Sequence, residues 1–107
     1  MVTDYWSRLG ISDEALEAFC RKWKIAQLEL FGSALRDDFT DASDIDLLYV
    51  TAADAGWSLF DHVEAEVELT DLMGRKVDLV SRRAIESSEN YIRRRDILEN
   101  TRVVYQS

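Results

Sequence analysis

Two aspartates, Asp44 and Asp46, open the apolar run Asp44–Val50 (DIDLLYV). In an extended strand, residues two apart point to the same face, so both carboxylates project together, roughly 6.5–7 Å apart along the chain. That spacing suits two carboxylates sharing a pair of Mg²⁺ ions about 3.5–4 Å apart. Oxygen ligands suit Mg²⁺, which takes one or two carboxylates plus substrate phosphates. Asp78 stands in a second short apolar run, Val77–Val80 (VDLV), and joins the pair if the two strands are neighbours. Composition alone weakens the motif, since 12 aspartates among 107 residues make one Asp-x-Asp the chance expectation. The strand setting strengthens it, because like charges side by side in an apolar segment are unfavourable without a compensating cation or proton. The competing reading is a pair that only caps the strand start at the surface.

Upstream, Gly32-Ser33 follows a strand and opens a short helix, Ser33–Asp38. Glycine permits close backbone approach, a helix N-terminus offers free N–H groups, and a serine hydroxyl adds a donor for a phosphate oxygen. A strand-ending turn explains Gly-Ser taken alone equally well.

These residues must be carried by regular elements. Leu16, Phe19, Cys20 and Trp23 recur at helical spacing, which predicts a helix over Ser12–Trp23, capped by Ser12 or Asp13. Ile25–Phe31 alternates and ends at Gly32, as a strand would. Asp44–Val50 is the clearest strand, preceded by a polar loop, Phe39–Ser43. A long acidic helix is expected from Trp57 to Met73, its inner face lined by Phe60, Val63 and Val67, with Gly74 ending it. The strand Val77–Val80, a helix over Ser88–Glu99 and a strand Arg102–Tyr105 complete an α-β-α-β-α-β-α-β order. That order predicts one α/β (α+β) domain over residues 1–107, with a small mixed β-sheet flanked by helices.

Composition bounds the function. The net charge of −8 is uneven: residues 1–74 carry 5 basic and 16 acidic side chains, whereas residues 75–107 carry 8 basic and 5 acidic. An acidic majority argues against stable nucleic-acid binding, which rests on Lys and Arg. It suits a basic protein partner, or it only keeps a small domain in solution. One Cys and one His exclude an internal disulfide and a zinc site. No apolar run reaches the length of a membrane span and no secretory leader is visible, so no membrane association and a cytoplasmic location are expected.

The stretch Phe31-Gly32-Ser33-Ala34-Leu35-Arg36, followed by Ser43-Asp44-Ile45-Asp46-Leu47-Leu48-Tyr49-Val50, resembles the signature of the DNA polymerase beta-like nucleotidyltransferases. Within that superfamily it is similar to the minimal nucleotidyltransferase (MNT) family, whose pattern is Gly-Ser, ten residues, then Asp-x-Asp. Here Ala34–Ser43 supplies the ten. Gly74–Val80 (GRKVDLV) looks like the segment that provides the family's third acid, Asp78, and the resemblance spans about residues 25–106. It implies a polymerase beta-like nucleotidyltransferase core, with Asp44, Asp46 and Asp78 both catalytic and metal-binding. It also implies nucleotide contacts from Gly32, Ser33 and Arg36, two Mg²⁺ ions as cofactor, and ATP as the donor of AMP to an acceptor hydroxyl. Where the family often has Arg-Gly after Gly-Ser, this chain has Arg36-Asp37.

The family also implies a partner. MNT proteins resemble one another in acting as antitoxins of helical HEPN ribonuclease toxins, by adenylylating a tyrosine, by binding, or by both. A protein adenylyltransferase is therefore expected, with a non-catalytic antitoxin or a small-molecule nucleotidyltransferase as alternatives. Elsewhere, His62 reads as a solvated or core-edge histidine rather than a base. Arg93, Arg94 and Arg95 cannot share one helix face. Trp6, Trp23, Trp57, Tyr49 and Tyr105 read as packing residues.

Overall fold

A computed structural model describes residues 10–32 and 44–106 of the chain. The expected helix Ser33–Asp38, the loop Phe39–Ser43 and Trp6 lie outside these residues.

Helix α1 spans Asp13–Lys22, and the Ser12 side chain accepts from the Ala15 N–H at 3.1 Å. Asp13 and Glu14 lie in its first turn and Arg21 and Lys22 in its last, matching the helix dipole at both ends. Leu16, Phe19 and Cys20 are buried as expected, while Trp23 sits just past the last turn, half-buried. Strand β1 is Ile25–Phe31, and β2 is Ile45–Thr51. Helix α2 covers Leu59–Met73 and leads into β3, Val77–Ser81. A short helix α3, Arg82–Glu86, a helix α4, Tyr91–Leu98, and strand β4, Thr101–Gln106, follow.

The described strands form a mixed sheet in the order β3-β2-β1-β4. β1 is antiparallel to both β2 and β4, whereas β2 and β3 are parallel and need the α2 crossover between them. The mixed sheet read from the element order is therefore the one that forms. Its first face carries Leu28, Leu30, Ile45, Leu47, Val77 and Leu79, which pack with α1 and α2 into the core. On the opposite face, α3 lies against β2 and β3, burying Ile85.

Two expectations are corrected. The inner face of α2 is not Phe60, Val63 and Val67, which are exposed, but Ala65, Leu69 and Met73. Polar side chains on the inner side set this rotation. Thr70 Oγ1 accepts from the Val77 N–H at 3.2 Å, and Glu66 Oε2 accepts from the Leu79 N–H at 2.8 Å. His62 Nδ1 meets the Tyr49 hydroxyl at 2.9 Å. The second correction concerns the region after β3. The helix expected over Ser88–Glu99 is the shorter α4, which Asn90 caps, and an additional helix not expected, α3, precedes it and is capped by Ser81. Each cap side chain accepts a first-turn backbone N–H that has no carbonyl partner within its own helix.

Candidate active site

Alternation along β2 sends Ile45, Leu47 and Tyr49 into the core and leaves Asp46 and Leu48 on the opposite face. Strand β3 repeats the pattern, with Val77 and Leu79 inward and Asp78 opposite. The parallel register pairs Ile45 with Val77 and Asp46 with Asp78. Asp46 and Asp78 are therefore lateral neighbours on one face, their strands about 4.8 Å apart. Asp44 stands one residue before β2, not within it, and its side chain is half exposed. The Ile45 N–H donates to the Lys76 carbonyl at 3.0 Å, which holds the approach to β2 against that to β3. Lys76 Nζ consequently lies 3.8 Å from Asp44 Oδ2.

Gly32 closes β1 at this same end of the sheet, where Phe31 is in register with Asp46. Its φ is +72°, and a Cβ built there would stand 2.5 Å from Asp46 Oδ2. Both facts call for glycine: side chains rarely adopt that φ, and the Asp46 carboxylate occupies the space. The structure thus brings Gly32, Asp44, Asp46 and Asp78 together at one sheet end. Ser33 and Arg36 lie outside the described residues.

The donors fit a hard divalent cation in kind, since all three are carboxylates and the Gly32 backbone leaves Asp46 room. Among the described residues, no three His, Cys, Asp or Glu side chains already converge on one point. Asp44 is the most exposed member of the set and lies within reach of Lys76.

Sequence reading gave no role to Glu29 and Arg82. Glu29 lies on β1 opposite Leu48, on the acid-bearing face, and its side chain is only 5% exposed. The Arg82 guanidinium forms an ion pair with it from the start of α3, and the Thr101 hydroxyl donates to its second oxygen at 2.9 Å. Arg82 also donates to Glu86 at 3.2 Å. The alternation Leu28-Glu29-Leu30 looks like any half-solvated strand. The only hint was an Arg82-Arg83 pair 53 residues downstream.

The remaining candidates behave as packing or surface groups. Trp57 stacks on Tyr49 at 4.9 Å between centroids and donates its indole N–H to the Trp23 carbonyl at 2.7 Å. Burial pushes the Tyr49 hydroxyl pKa up, with Ser81 lowering it and the Glu66 carboxylate raising it further. His62 is a core-edge partner of Tyr49. Arg93 and Arg95 are exposed, while Arg94 donates to the Ser88 carbonyl at 3.2 Å.

Comparison with known proteins identifies the family of the domain. The model of the nucleotidyltransferase domain matches residues 12–104. A candidate protein adenylyltransferase of Methanocaldococcus jannaschii is 39% identical over 66 residues, 62% of this chain and 65% of that protein. The match therefore spans less than two thirds of that relative's own length. A solved structure of a candidate minimal nucleotidyltransferase superposes with a TM-score of 0.62 at 30% identity, covering 82% of this chain and 84% of that one. A chain from the complex of tri-AMPylated Shewanella oneidensis HEPN toxin with MNT antitoxin gives a TM-score of 0.59 at 19% identity. That likeness, one of fold, covers 88% of this chain and 69% of the other. The chain belongs to the nucleotidyltransferase domain family, as a minimal nucleotidyltransferase.

Proposed function

We propose that this chain moves AMP from ATP onto a tyrosine of a HEPN-type toxin and so acts as its antitoxin in the cytoplasm. The observation that carries the reading is the pairing of Asp46 with Asp78 on adjacent strands, with Gly32 against Asp46. Asp44, Asp46 and Asp78 would hold Mg²⁺, two ions in all, which neutralises the triphosphate and makes the acceptor hydroxyl more acidic. The acceptor oxygen bonds to the α-phosphorus, the bond to pyrophosphate breaks, and Asp78 is the base that takes the hydroxyl proton. The backbone at Gly32, with Ser33 and Arg36, would grip the outer phosphates. Support for a protein acceptor comes from the M. jannaschii relative, named for protein adenylylation, and from the AMPylated HEPN toxin of the Shewanella complex.

A second reading is neutralisation by binding alone, for which the acidic and partly exposed helix α2 offers a surface. Incubation of the chain with Mg-ATP and the HEPN-type protein encoded beside it separates the two. Under the first reading, mass spectrometry finds AMP on a toxin tyrosine, and the Asp44→Asn/Asp46→Asn variant leaves the toxin unmodified. If no AMP is transferred and that variant still inhibits the toxin, the transfer reading fails and binding remains.

A further inference from the structure

Helix α2 is apolar along two separate stripes. Ala65, Leu69 and Met73 form the one that the core buries. Leu59, Phe60, Val63 and Val67 form the other, and they are 77%, 80%, 50% and 56% exposed. Phe60, Val63 and Val67 follow the i, i+3, i+7 spacing that buries a helix face, yet no described element covers them. The stripe runs for about two helical turns, the length over which one helix packs against another.

Charge says what kind of surface fits. Glu64 and Asp71 are exposed alongside the stripe, with Glu68 next to them paired to Lys22 at 2.6 Å. The whole helix carries Asp61, Glu64, Glu66, Glu68 and Asp71 and has no Lys or Arg. A second copy of α2 laid against this face would set carboxylates against carboxylates. A helix with an apolar stripe of its own, flanked by Lys or Arg, would satisfy both halves of the face.

From the exposed stripe and its acidic flank we infer that the outer face of α2 docks a basic amphipathic helix of the protein partner. The inference rests on the antitoxin reading, in which that partner is the HEPN-type protein. The face lies on the core side of the sheet, whereas Asp46 and Asp78 lie on the other. Binding of the partner and modification of its tyrosine would then use different surfaces of the chain.

The test measures affinity of the full chain for the HEPN-type protein encoded beside it. Phe60→Ser/Val63→Ser/Val67→Ser changes only exposed positions, and circular dichroism checks the fold. Should the triple variant misfold, Val67→Lys alone takes its place. Affinity is expected to fall about a hundredfold in the triple variant. Glu64→Lys/Asp71→Lys should weaken binding about tenfold, and raised salt should weaken the wild-type complex. A wild-type complex that the apolar and charge variants leave unchanged overturns the docking surface while the antitoxin reading stands. A self-associating chain whose dimer the triple variant abolishes also overturns it, giving the face to a second copy. No complex with the wild-type chain overturns the antitoxin reading and this inference with it.

Discussion

The two faces of the sheet handle side chains in opposite ways. Leu28, Leu30, Ile45, Leu47 and Leu79 on the core face meet α1 and α2 and carry no charge. The opposite face carries Glu29, Asp46 and Asp78 within three adjacent strands. Even there the carboxylates differ. Glu29 is buried and answered from inside the molecule by Arg82 and Thr101. Asp46 and Asp78 stand side by side at the sheet end, half-buried, like charges on neighbouring strands. An internally matched carboxylate holds α3 onto the sheet. Two carboxylates side by side on adjoining strands are an arrangement that a bound cation stabilises.

The sharpest test of that contrast exchanges charge for amide in each setting. Asp46→Asn should lower AMP transfer by about a hundredfold to a thousandfold, the scale of removing one group that stabilises transition-state charge. The loss of transfer should be its main effect, larger than any change in its thermal midpoint. Glu29→Gln should do the reverse. It should cost about 2 kcal/mol in a denaturation midpoint, with Arg82 retaining Glu86, and leave transfer per folded molecule within about threefold. If Glu29→Gln abolishes transfer while stability holds, the division between the two carboxylate settings is wrong.

Gly32→Ala has a smaller effect on both measurements. The positive φ should cost about 1–2 kcal/mol, and the new Cβ must push the Asp46 carboxylate aside. The Mg²⁺ concentration needed for half-maximal transfer should therefore rise in this variant, and an unchanged requirement would separate Gly32 from the metal site.

The core face should respond to pH in alkali. Burial pushes the Cys20 thiol from 9.0 up to about 12. The unfolded chain thus loses this proton first as pH rises. This contribution to stability is fully present below about pH 9 and is lost progressively toward pH 12. Urea midpoints at pH 8 and pH 10 should show the decline, and Cys20→Ala should flatten it.

Much of this architecture was legible in the residues. β1 and β2 announced themselves through Leu, Ile and Val runs closed by turn residues, and Asp46 and Asp78 through acids set in apolar strands. The rotation of α2 was not legible, because Glu66, Thr70 and His62 face inward, where a periodicity argument puts apolar groups. Helix α3 is one short turn defined by a serine cap, with no stripe to betray it. The strand register that sets Asp46 beside Asp78, and the meeting of Glu29 with Arg82, depend on segments far apart in sequence. Spacing within one segment cannot supply either.

The hydrogen bonds from α2 to β3 have a consequence at the scale of many molecules. β3 is an outer strand of the sheet, and an outer strand with open N–H groups is a template on which another chain can lay its own backbone. Glu66 and Thr70 occupy the Leu79 and Val77 donors, so a misfolded or partly synthesised neighbour finds those places taken. The helix that shapes the core also keeps the sheet from growing on that side.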